Sequence, residues 1–250
     1  TPIYMAPEQA TAAPAGPAAQ GGGPRAAWHG SCREPGMARL SPLRIESHFD
    51  RAAHAISYLV MDNGSGAAAL VDPGPCASRW AERARALGGL LACRLETADF
   101  DGAERFTLGG LPVRVMRTPG LGPRCVSYVF GEGLPALGAP VAFVGCTLLM
   151  PDLGTAPCSG PGADARTLFR SINRLLALPA ETRLFLGSDH PPAGCEPRCE
   201  CTVAEQRERN IHVRDGICED AFVALHAACD TPPGRRIVGN VRSRALDRVG

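Results

Sequence analysis

Eleven cysteines and six histidines are the residues of this 250-residue sequence whose types most readily do chemistry. Cys195, Cys199 and Cys201 bunch in the loop-like run 194–201, where three thiolates could hold a soft metal. Three sulfurs without a fourth nearby ligand fall short of a structural zinc site. The other cysteines are scattered through apolar stretches at irregular spacing, and so read as buried or free thiols rather than a disulfide framework. His48 and His54 lie ahead of the first strongly apolar runs, and His212 and His226 lie towards the end; each reads as structural or exposed. Asp99 and Asp101 flank a bend before Gly102, where acidic residues are ordinarily turn formers.

The elements that would position such groups follow from the apolar pattern. With 45% hydrophobic and 20% charged residues, the chain is long enough for one sizeable α/β core. Residues 1–42 are dominated by Ala, Gly and Pro with no sustained period, which predicts a disordered leader. From residue 43 short apolar runs alternate with helical periods. Ile56–Met61 and Ala67–Val71 read as strands joined at Asp62-Asn63-Gly64, a hairpin signal. A helix is expected over 77–88, then strands at Leu90–Leu95, Arg105–Leu108, Val113–Arg117, Cys125–Phe130 and Val141–Val144. Ala165, Leu168, Phe169, Ile172, Leu175 and Leu176 share one helical face, which predicts an amphipathic helix over 164–177. Arg183–Leu186 reads as a short buried strand, with further helices at 202–210 and 218–229. This division gives a folded domain over 43–230 and an Arg-rich tail over 231–250. Strands followed by interposed helices make an α/β layered domain.

Charge and hydropathy exclude some classes. All 26 cationic residues are Arg, but the net charge of +1 and pI near 7.5 give no broad basic field, so nucleic acid is not an expected partner. No run of about eighteen apolar residues occurs, so no membrane-spanning helix is expected and the chain reads as soluble, cytoplasmic or mitochondrial. Thr1-Pro-Ile-Tyr-Met-Ala-Pro-Glu-Gln9 resembles the end of a protein-kinase activation segment, but no catalytic-loop His-Arg-Asp or Asp-Phe-Gly follows.

A second resemblance runs through the whole middle of the chain. It is carried by Ile45-Glu-Ser-His-Phe-Asp50, Ile56-Ser-Tyr-Leu-Val60, Val71-Asp-Pro73, Phe106-Thr-Leu-Gly-Gly-Leu111, Thr118-Pro-Gly120, Phe143-Val-Gly145, Thr147 through Thr155, Asp164 through Ser171, Arg183-Leu-Phe-Leu186, and Thr202 through Val213. These collinear segments resemble the metallo-β-lactamase-fold superfamily, in the persulfide dioxygenase and glyoxalase II-like branch. The resemblance implies a four-layer αββα sandwich with iron or zinc at one end of two sheets. It implies oxidation of the terminal sulfur of glutathione persulfide to sulfite at a mononuclear iron, with glutathione persulfide or a related thiol as the small-molecule partner. Such iron needs two His and one carboxylate with open positions.

Against that pattern the ligand positions depart one by one. After Leu95-Glu96-Thr97 the family places a His-x-His-x-Asp-His cluster; here Ala98-Asp99-Phe100-Asp101-Gly102 leads almost at once to the next matching strand. The sandwich is therefore expected to be incomplete after residue 97. Position 121, a His in the family, is Leu121; the Asp expected before Thr147 is Cys146; and Ser188 replaces a final His. Cys146, Asp189 and His190 remain as candidate metal ligands, and Asp72, in the Val-Asp-Pro turn, as the residue that supports the metal loop from behind. Where relatives carry an aromatic and an Arg to anchor glutathione, this chain has Leu153 and Pro157, leaving Asp152, Thr155, Cys158 and Arg166 near the substrate loop, of which Asp152, Thr155 and Arg166 are candidate binders.

The expected function is thus that of a persulfide dioxygenase-like pseudoenzyme with no metal cofactor. The alternatives are a shortened or misassembled version of an active enzyme, or a non-catalytic interaction scaffold. Loss of a strand and a helix after residue 97 would bare a sheet edge, so a homo-oligomer or aggregation is expected.

Overall fold

The computed structural model describes residues 41–158, 161–192 and 194–229. The expected leader up to residue 40, the kinase-like nonapeptide and the C-terminal tail lie outside the described residues. Ten strands and four helices follow in the order β1 (Leu43–Asp50), β2 (Ala55–Asp62), β3 (Ala67–Val71), α1 (Ala77–Ala86), β4 (Leu90–Leu95), β5 (Arg105–Leu108), β6 (Leu111–Arg117), β7 (Val126–Phe130), β8 (Val141–Gly145), α2 (Ala165–Leu176), β9 (Arg183–Leu186), β10 (Glu200–Thr202), α3 (Val203–Arg209) and α4 (Glu219–Cys229). They build two sheets, ordered β1-β2-β3-β4 and β10-β9-β8-β7-β6-β5.

Three apolar clusters fill three interlayer spaces, as an αββα sandwich requires. Between the sheets lie Tyr58, Val60, Val71, Val113, Tyr128, Phe130, Phe143 and Phe185. Outside the first sheet, Leu59, Met61, Ala68 and Leu70 meet Trp80 and Ala84 of α1. Outside the second, Val129, Ala142, Val144 and Leu184 meet Leu168, Ile172 and Leu175 of α2, Val203 of α3 and Phe222 of α4. The alternation in β2 divides its side chains between the first two clusters, which is the period-two signature of a strand buried on both faces.

Local chemistry explains most boundaries. Asp164 caps α2 by accepting from the backbone N–H groups of Arg166 and Thr167, and Thr202 with Glu205 forms a capping box on α3. The β2–β3 hairpin forms where the Asp62-Asn63-Gly64 signal lies, with β2 running one residue further, to Asp62. Residues 63–66 intervene, and the Asp62 carboxylate accepts from Gly64 N (3.0 Å), Ser65 Oγ (2.6 Å) and Gly110 N (2.8 Å), tying this turn to the β5–β6 turn of the other sheet.

The short link 96–104 carries the chain from β4, at the edge of one sheet, directly to β5, at the edge of the other. Leu90 pairs with Ala67, whose side chain faces the space between the sheets, yet Leu90 is 69% exposed. Among the described residues Leu90 and Ile211 are the large apolar side chains left exposed, and of the two Leu90 lies at this edge. No helix among the described residues is long and apolar enough to cross a membrane.

Candidate functional site

Loops at one end of the sheets bring together the residues in question. Val71 ends β3, and Asp72 follows with φ 47°, a left-handed conformation that Asp tolerates better than most residues. That turn aims the Asp72 carboxylate at the end of β4. Oδ1 accepts from Thr97 N and Oδ2 from Thr97 Oγ1, each at 2.7 Å. Thr97 in turn fills the space above Gly145, where an added Cβ would stand 2.3 Å from Thr97 Oγ1; the φ of 55° at Gly145 makes glycine doubly suited there. Thr97 O accepts from Val126 N (2.9 Å), and Glu96 O accepts from the Tyr128 hydroxyl (2.9 Å). The link after β4 is therefore stitched to β7 and β8 along its first residues.

Burial pushes the Asp72 carboxyl up to about 6, against the opposing pull of the two Thr97 bonds. Cys146 follows Gly145; the residue is exposed, but protein crowds its sulfur, and that burial together with the Asp72 carboxylate and the Cys125 thiol holds the thiol above its usual range. Cys125, beside Ala98 O at 3.6 Å, is raised for the same leading reason. Both sulfurs are thereby poor thiolates, and a thiol is a poor metal ligand until it is deprotonated.

The Asp72 shift has a testable sign. A carboxyl whose folded pKa lies above its unfolded value binds protons more tightly when folded, so its contribution to stability is greatest at low pH and is lost as pH rises from about 4 to about 6. Asp72→Asn keeps an acceptor for Thr97 N and tolerates the same backbone region. It is expected to raise stability at pH 7.5 by on the order of 2 kcal/mol and to remove this loss from urea denaturation profiles. A variant no more stable at pH 7.5 than the parent would contradict a buried, ionised Asp72.

The other candidates make contacts of their own. Ser188 donates through Oγ to His54 O (2.8 Å), and His190 stacks on His54 with ring centroids 4.7 Å apart. Asp189 is fully buried; one oxygen accepts from Arg198 N (2.6 Å) and the other has no partner among the described protein atoms. Asp152 pairs with Arg198 (2.7 Å), and Arg166 with Glu219 and Asp220 (2.8 Å each) on the surface. Thr155 is bound to His212 and His226, a contact across 57 and 71 residues that spacing cannot reveal. The cysteine run does not converge: Cys195 is exposed, Cys199 packs against the core between the sheets, and Cys201 is buried in the outer core, where Gln206 Nε2 donates to it at 3.2 Å. Among the described residues no group of three His, Cys, Asp or Glu side chains is placed to hold a metal ion.

No family model matches the chain. It is 35% identical over 254 aligned positions to a probable metallo-hydrolase of Burkholderia pseudomallei (strain 1710b), an alignment that takes in 75% of this chain and 86% of that protein. The chain belongs to the metallo-β-lactamase superfamily. A β-lactamase hydrolase-like protein of Xylella fastidiosa (strain Temecula1 / ATCC 700964) is 44% identical over 131 residues, which are 52% of this chain and 28% of that protein. The crystal structure of ETHE1 from Myxococcus xanthus superposes with a TM-score of 0.65 over 76% of this chain and 92% of that one, at 22% identity, which bears out the superfamily's fold.

The Burkholderia alignment spans 254 positions yet draws on only 75% of a 250-residue chain, so that relative carries several tens of residues without a counterpart here. The turn at Thr118-Pro119-Gly120 is locked to α2 in this chain: Gly120 O accepts from Asp164 N (2.8 Å), and Pro119 O from Ser171 Oγ (2.6 Å). Leu121, next along, packs its side chain against the apolar cluster around α2.

Proposed function

We propose that this chain is a persulfide dioxygenase-like member of the superfamily that has lost the metal centre, and with it iron-dependent oxidation of glutathione persulfide. The observation that carries the reading is that three separately folded ligand positions are each committed to something else. Leu121 covers the outer core, Cys146 stands where a carboxylate is expected, with its sulfur crowded by protein, and Ser188 bonds to the His54 carbonyl. Asp72 adds to this, because both of its oxygens are engaged by Thr97. The residues present do not fit an iron or zinc centre, which needs at least three convergent donors of the right type.

What this arrangement can do is hold a shape. The Asp72–Thr97 pair closes the end of the sandwich where the resemblance sets the metal, and leaves there a carboxylate held by two hydrogen bonds instead of by coordination. A shortened version of an active enzyme accounts for the missing segment, which favours it as a second reading, but not for Leu121, Cys146 and Ser188, which lie outside that segment. The test is oxygen uptake with glutathione persulfide by protein expressed with added iron; this reading expects none above the protein-free rate, and turnover abolished by a chelator would overturn it.

A further inference from the structure

We propose that His212, Thr155 and His226 form an acid-sensitive latch that fastens helix α4 and the loop over residues 151–155 to the domain. Three contacts define it. Thr155 N donates to His212 Nδ1 at 3.0 Å, Thr155 Oγ1 lies 2.9 Å from the same nitrogen, and Thr155 Oγ1 lies 3.1 Å from His226 Nε2. A backbone N–H has nothing to do but donate, so Nδ1 must carry a lone pair and neutral His212 holds its proton on Nε2. A proton added to Nδ1 would point at the Thr155 N–H and break the bond.

The ring has nowhere to turn to avoid this. A Cβ on Gly154 would stand 2.4 Å from His212 Nδ1, so the imidazole lies against bare backbone, and Gly154 O is held by Asn210 Nδ2 at 3.0 Å and Leu149 N at 3.1 Å. Asn210 also fixes the approach of the His212 backbone, accepting from its N–H through Oδ1 at 2.8 Å. On the far side His226 is buried, 4.4 Å from the Phe222 ring, and Phe222 packs on Phe169 of α2 at 5.3 Å. The latch thus joins the loop, the α3–α4 link and α4 through one hydroxyl.

Charges on the surrounding elements are spent elsewhere. Arg166 and Arg170 of α2 pair with Glu219 and Asp220 at the start of α4, Arg207 of α3 pairs with Asp215, and Asp152 of the loop pairs with Arg198. The charge that couples to His212 is His226, and together with burial it lowers the His212 pKa. A histidine whose pKa is lower in the closed form stabilises that form fully above the open-state value near 6.5 and loses this contribution as pH falls below it.

Amide hydrogen exchange on the full chain tests the latch. Between pH 7.5 and 5.5, after correction for the intrinsic rate, peptides covering residues 150–156 and 219–229 are expected to lose protection about tenfold, the limit for one imidazole titrating near 6.5. Peptides from β7 and β8 are expected to lose none. His212→Asn, whose Oδ1 accepts from Thr155 N at either pH, is expected to keep its protection at pH 5.5. Thr155→Val, which retains the backbone donor but lacks the hydroxyl that reaches His226, is expected to remain acid-sensitive over residues 150–156 and to lose that sensitivity over 219–229. Equal protection of the parent at both pH values, a loss that persists in His212→Asn, or acid-insensitive residues 150–156 in Thr155→Val would each overturn the proposal.

Discussion

Trp80→Ala is expected to destabilise the domain by about 4 kcal/mol, visible as a fall in melting temperature of roughly 10 °C. Trp80 is fully buried in α1, and its Nε1 donates to Ser57 Oγ at 3.0 Å. The cluster it belongs to has only Leu59, Met61, Ala68, Leu70 and Ala84 as its other buried members, so the indole supplies much of what holds α1 to the first sheet. Removing it leaves a cavity that two alanines and one sheet face cannot close, and takes the donor away from a buried hydroxyl. Because β4 follows α1 and pairs with β3 on one side only, the loss should propagate to the open edge. A fall of less than about 1 kcal/mol in thermal or urea unfolding would mean that α1 contributes little to the fold.

Gly120→Ala should be nearly as severe, at about 3 kcal/mol or more. Gly120 has φ 139°, and a Cβ there would stand 2.3 Å from Leu168 Cα and 2.5 Å from Leu168 N. Both clashing atoms are helix backbone, which cannot swing aside as a side chain can. Relief requires α2 to move off the turn, with loss of the Asp164 N to Gly120 O and Ser171 Oγ to Pro119 O bonds. Circular dichroism melts would register the change; an unshifted melting curve would show that the turn and α2 are not in the described contact. The severity matters for function, because it means that the scaffold which would present a ligand at position 121 is maintained for packing even though the residue it presents is Leu.

The fold was legible where strands are apolar and helices amphipathic. Ala165 through Leu176 and Arg183 through Leu186 sit where their periods placed them. β1 was not flagged, since Arg44, Glu46, His48 and Asp50 interrupt its apolar residues; an edge strand paired on one side can carry them, and Glu46 pairs with Arg83 of α1 at 2.7 Å. β10, three residues long, is too short to show a period. At the candidate site the matching segments drew attention to Asp72 and Cys146, and to Ser188 after the strand Arg183–Leu186. It could not show that Asp72 closes on Thr97, because the pairing depends on a left-handed turn and on how the link after β4 enters the second sheet. Nor could it separate Cys199 from Cys201: two residues apart within a strand they would share a face, but Cys199 lies just ahead of β10 and packs against the core between the sheets while Cys201 enters the outer one.

The most direct test of the account is metal content per chain, by elemental analysis of protein expressed in medium supplemented with iron and zinc and then freed of loosely held ions by gel filtration. The account predicts far less than one equivalent of either metal, unchanged in Cys146→Ser. Close to one equivalent of iron or zinc per chain would contradict it, and would mean that donors at this end of the sandwich assemble a centre in spite of Leu121, Cys146 and Ser188.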